Sequence, residues 1–116
     1  MKTKNVVQLV GCLKDNPVLH KKTGSVTKFV LVTSKEWTDK ETKEKKESFE
    51  YHFISCFNEL AEIAVKCLKK DFRVYVSGSL KTSKWPDEQN VERYKTEIIA
   101  EDFFIAPSYQ PSGEIQ

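Results

Sequence analysis

Glycine, histidine and cysteine are all scarce in this 116-residue chain, and each scarcity removes a class of chemistry. The four glycines, Gly11, Gly24, Gly78 and Gly113, lie far apart, so no glycine-rich loop can cradle a phosphate and nucleotide hydrolysis is not expected. His20 and His52 stand beside no cysteine or serine in a nucleophile motif, and no carboxylate–histidine cluster has metal-ligand spacing. Neither an enzyme nor a bound metal or cofactor is therefore expected. Cys12, Cys56 and Cys67 form an odd set without a Cys-x-x-Cys pair, unlike a disulfide scaffold or zinc knuckle, which points to a reducing, cytoplasmic setting. No apolar run approaches the roughly 20 residues of a spanning helix, and neither a membrane segment nor a secretory leader is expected. Charge of one sign is also lacking: 19 basic against 17 acidic side chains leave +2, so any electrostatic role must come from placement.

What is present is one modest domain's worth of apolar residues, 39%, under a surface rich in charge, 31%. A period of two governs the first half. Val7, Leu9, Gly11 and Leu13 share one face of an opening strand, with Gly11 marking a bulge or bend. Asp15-Asn16-Pro17 and Thr23-Gly24-Ser25 are turns, and residues 26–34 read as a second strand. Residues 35–48 are rich in Lys and Glu with almost nothing apolar apart from Trp37, the composition of a solvated hairpin loop. In a third strand over 49–57, Phe49, Tyr51, Phe53, Ser55 and Phe57 alternate with Glu50, His52, Ile54 and Cys56.

The period then becomes 3.6. Leu60, Ile63, Ala64, Cys67 and Leu68 form the stripe of a short helix with Asn58 as its N-cap, and Cys56 and Cys67 are expected in the core. Residues 72–80 and 93–105 supply two more strands around a second long loop at 81–90. Three strands, a helix and two strands are the order of a small, partly open, all-β barrel of the oligonucleotide/oligosaccharide-binding type. That domain is expected to occupy residues 1–106, and the Pro-, Ser- and Gln-rich segment 107–116 to be a flexible tail.

One strand face carrying four aromatics is more than a small core can hold, and both tryptophans emerge where the chain turns hydrophilic, close to lysines. The competing arrangement puts the aromatics inside and Glu50 and His52 outside. Rings open to water beside cations suit single-stranded nucleic acid, whose bases stack and whose phosphates attract Lys and Arg, at roughly 1–3 kcal/mol per stacked base.

Several ordered motifs carry a resemblance: residues 5–11 (NVVQLVG), Asp15-Asn16-Pro17, residues 33–40 (TSKEWTDK), Glu50-Tyr51-His52 leading into 57–64 (FNELAEIA), residues 74–85 (VYVSGSLKTSKW) and 93–97 (RYKTE). Over about 100 residues the chain resembles the homotetrameric bacterial and mitochondrial single-stranded-DNA-binding proteins. The resemblance implies a tetramer that coats single-stranded DNA with little sequence preference during replication, recombination or repair. It implies stacking by Trp37, Tyr51, Phe57 and Trp85, phosphate contacts by Lys40, Lys46, Lys70, Lys81, Lys84 and Arg93, and a place for His52 at a subunit contact. Phe53, Glu59 and Ser83 stand where relatives carry Lys or Arg, so fewer phosphate contacts are expected, with Phe53 offering a further stacking surface. The family's acidic tip for docking repair and replication enzymes has no match in residues 112–116. A second reading, a protein-interaction module like the primosomal relatives on this fold, stays open at the level of sequence.

Overall fold

A computed structural model of the chain describes residues 1–107; beyond 107 the expected tail lies outside the described residues. The elements are β1 (Val7–Leu13), β2 (Val18–His20), β3 (Val26–Thr38), β4 (Lys45–Phe57), α1 (Asn58–Cys67), β5 (Arg73–Pro86) and β6 (Glu92–Ile105). The strands join in the order β1-β5-β6-β4-β3-β2, and an added β1–β3 pairing at Cys12↔Val32 and Leu13↔Leu31 closes five of them into a barrel. The expected order of five long strands with the helix between the third and fourth holds; the short β2 is an addition along β3.

Alternation fills the barrel. Phe29 and Leu31 from β3, Ile54 and Cys56 from β4, Val74 and Val76 from β5, and Ile98 and Ala100 from β6 meet inside, while Ala61, Ala64 and Leu68 bring the helix against them. Thr27 Oγ1 donates to the Ala61 carbonyl at 2.7 Å, tying the helix to β3. Gly11 makes a close approach, since a Cβ there would lie 2.4 Å from the Val32 oxygen. The bulge is elsewhere, in the β5–β6 ladder between Ser77 and Gly78.

Three expectations are corrected. The two long loops are largely strand: β3 pairs with β4 out to Thr38↔Lys45 and β5 with β6 out to Pro86↔Glu92, leaving turns at 39–44 and 87–91. These ladders project beyond the core, where both faces meet water, so an amphipathic period is not required of them. Asn58 does not cap the helix. Phe57 holds the N-cap position without a side-chain bond, and Asn58 adopts φ 56° while its N–H donates to the Ser25 carbonyl at 2.8 Å. Ile63 and Cys67 are exposed, because the inward face of the helix is narrower and made of the small Ala61 and Ala64 with Leu68. Cys56 alone among the cysteines is buried, and that burial pushes its thiol up to about 12.

The two projecting hairpins leave from the same end of the barrel. β4 and β6 run parallel where they pair, at Ile54↔Ile98 and Ser55↔Ile99, and the N-terminal part of each continues outward from that point.

Candidate nucleic-acid interface

The fold leaves the rings outside. Ile54 and Cys56 point into the barrel, so strand alternation turns Tyr51, Phe53 and Phe57 outward, where they are 53%, 51% and 42% exposed; Trp37 and Trp85 on the hairpins are each 44% exposed. The arrangement with all aromatics inside is thereby excluded. Ser55, in the same row, is buried, and its hydroxyl donates to the Glu97 carboxylate.

The rings do not share one face. In the β3–β4 ladder Val32 pairs with Tyr51 and Trp37 with Lys46, so Trp37 falls on the reverse side from Tyr51, in a cleft with Lys35 and Ser48. Trp85 lies on the second hairpin directly opposite Arg93. A polymer touching all of them has to curve around both hairpins.

On the outer face, Phe57 and Phe53 stand at the two ends of a continuous groove. Its first part, about 610 Å³, is lined by Phe57, Lys21, Lys22 and Lys28. Its second, about 370 Å³, holds Phe53 and Lys95, and His20, Lys28 and Glu97 belong to both. Sequence reasoning missed Lys21, Lys22, Lys28 and Lys95. Parity could have found Lys28, which alternates with the buried Phe29 and pairs with Ser55, and Lys95, which alternates with Thr96 and the buried Ile98 within the expected fifth strand; Lys21 and Lys22 depend on β2.

The six predicted phosphate contacts divide. Lys46 Nζ lies 3.2 Å from Asp39, Lys84 Nζ 3.4 Å from Glu92, and Arg93 Nε 2.9 Å from Asp87. Among the described residues no ion pair is formed by Lys40, Lys70 or Lys81. Lys40 is in the 39–44 turn, Lys81 pairs with Glu97 across the ladder, and the Lys70 backbone N–H donates to Asn16 Oδ1 (2.9 Å) at the rim of the second groove. Exposed pairs of this kind are worth little, so a phosphate can replace the carboxylate at small cost. His52 is half-buried, with Nε2 2.9 Å from Thr33 Oγ1.

Both hairpin tips use one device. Asp39 Oδ1 accepts from the backbone of Glu41 (2.8 Å) and Thr42 (3.1 Å), and Asp87 Oδ1 from Gln89 (2.8 Å) and Val91 (2.9 Å), while the second oxygen of each holds the basic residue of the returning strand. These bonds hold both carboxyls below the ordinary 3.8, the largest contributions coming from the Thr42 and Val91 N–H groups respectively. A depressed folded value means that the tip's order is fully present above the ordinary carboxylate range and is lost as pH falls through the lower, folded value. The amide resonance of Val91 should therefore titrate with a midpoint below 3.8. A midpoint at or above 3.8 would contradict the assigned bonds.

The family model described as the single-strand binding protein family matches residues 4–105. Among solved structures, the chain is similar to one described as Plasmodium falciparum SSB complex with ssDNA, with a TM-score of 0.81 and 30% identity over 92% of this chain and 98% of that one.

Proposed function

The chain belongs to the single-strand binding protein family, and on that premise we propose that it binds and coats single-stranded DNA by stacking and charge, without making or breaking a bond. The observation that carries this is the outward exposure of Trp37, Tyr51, Phe53, Phe57 and Trp85, with Phe53 and Phe57 on a groove lined with lysines. Every base has a π-face, so these rings hold sequence without selecting it, and the lysines neutralise phosphates. Lys40, Lys70 and Lys81 contribute directly; Lys46, Lys84 and Arg93 contribute after exchanging a carboxylate for a phosphate. Coated strands cannot reanneal, which serves replication, recombination or repair in the cytoplasm.

Binding of labelled oligo-dT followed by anisotropy tests this. The logarithm of affinity should fall linearly with that of salt concentration, by roughly 0.7 per phosphate neutralised. Absence of binding at low salt would refute the function, and a flat salt dependence would refute the lysine contacts.

The assembly is a homotetramer, with His52 at a subunit contact held in place by Thr33. Light scattering should give four times the chain mass of 13.4 kDa. A monomer at micromolar concentration would overturn this part.

A further inference from the structure

Glu97 is the carboxylate common to three adjoining clefts of the outer surface: the two parts of the groove between Phe57 and Phe53, and a third of about 180 Å³ between the hairpins, lined by Tyr51, Phe53, Leu80 and Thr96. Its position follows from register. Ile54 and Ile98 pair in parallel and both point into the barrel, so the residues before them, Phe53 and Glu97, are neighbours on the outer face. Adjacent strands are about 4.8 Å apart. A base lying on the exposed Phe53 ring is therefore within reach of the Glu97 carboxylate.

That carboxylate is anchored. One oxygen, Oε1, accepts the hydroxyl of the buried Ser55, and the half-buried Glu97 lines all three clefts. The charged and titratable neighbours are Lys28 on β3, which pairs with Ser55, Lys81 on β5, which pairs with Glu97 itself, Lys95 on its own strand, and His20 on β2. Among the described residues none of them closes an ion pair with it. Asp15, also in the second cleft, has Lys14 Nζ at 3.7 Å. A carboxylate in a path that must accept phosphates is unfavourable unless it meets a donor. Bases offer such donors on their edges: cytosine N4 and adenine N6 carry two amino hydrogens, whereas thymine's one donor, N3–H, is set between the O2 and O4 oxygens, which repel a carboxylate.

We propose that Glu97, held by Ser55, reads the edge of the base stacked on Phe53 and favours an amino-bearing base over thymine at that one position. The inference rests on the DNA-binding reading above and adds a local preference to otherwise indifferent binding.

The test compares oligo-dC with oligo-dT, two pyrimidines, at a salt concentration where both affinities are measurable. In Glu97→Gln the amide oxygen still accepts from Ser55, so the fold is kept, and the amide NH2 turns a donor toward the base. The dC-to-dT affinity ratio should drop about fivefold or more, the low end for one base-edge contact. Ser55→Ala, which frees the carboxylate from its anchor, should narrow the ratio in the same direction. In a Phe53→Ala background the Glu97→Gln effect on the ratio should vanish, because the base is no longer held there. An unchanged ratio in Glu97→Gln, with both oligonucleotides still bound, overturns the assignment and leaves the function intact. Equal weakening of both oligonucleotides also overturns it, making Glu97 merely a partner for Ser55. Failure of the unaltered protein to bind either one overturns the underlying function instead.

Discussion

A Tyr51→Ala protein is expected to bind oligo-dT about 5- to 150-fold more weakly than the unaltered chain while melting at the same temperature. The estimate follows from about 1–3 kcal/mol per stacked base, with a factor of ten for each 1.4 kcal/mol. Stability should not change because the ring is 53% exposed on the outer face, and its removal leaves no cavity in the barrel. Tyr51→Trp supplies a larger π-face at the same place and should keep or raise affinity. Competition binding with a thermal melt checks both. Lost affinity accompanied by a large drop in melting temperature would instead mean that Tyr51 supports the fold.

The second large effect concerns folding. A Cβ at Gly78 would lie 2.0 Å from the Ile99 oxygen and 2.9 Å from its carbonyl carbon, with the Ala100 Cα at 3.0 Å. All three atoms are backbone, so no side chain can swing away. The contact falls where the β5–β6 ladder shifts register, between Ser77 and Gly78. Gly78→Ala must open that ladder, at a cost of about 3 kcal/mol or more, a large share of the stability of a small domain. Urea unfolding should show the midpoint falling sharply. A shift under about 0.5 kcal/mol, ordinary for a surface change, would show that the two strands are not packed this closely.

How much of this was legible in the sequence depends on whether a face was buried. Where one side of a strand meets the core, alternation reports it, and the outward placement of Tyr51, Phe53 and Phe57 follows from Ile54 and Cys56 being inward. Residues 35–38, 45–48 and 81–86 belong to ladders standing clear of the core. Their polar, Lys-rich composition carries no period, so they read as loops although they are paired strands. The ends of those strands decide the site: only the full register shows that Trp37 is on the reverse side from Tyr51 and that Trp85 faces Arg93.

Long-range partners were hidden for a related reason. Nothing local announces that Glu97 covers Ser55, 42 residues away, or that Asp39 and Asp87 hold Lys46 and Arg93. The short β2, which brings His20 to the groove beside Lys28, has only three residues and leaves too little pattern to detect. The 3.6 period locates the helix but overstates the width of its buried stripe. Ile63 and Cys67 are the right type of residue at helical spacing, yet the barrel end accepts only Ala61, Ala64 and Leu68, with Leu60 partly covered.

The central claim is that bases lie flat against rings that the fold leaves in water. Titrating the protein with unlabelled oligo-dT while recording tryptophan emission addresses it most directly, since Trp37 and Trp85 are the two indoles of the chain. The account predicts strong, saturable quenching that is reduced in Trp37→Phe and in Trp85→Phe and reversed by salt. Saturable binding of oligo-dT with no change in the emission of either tryptophan would contradict it.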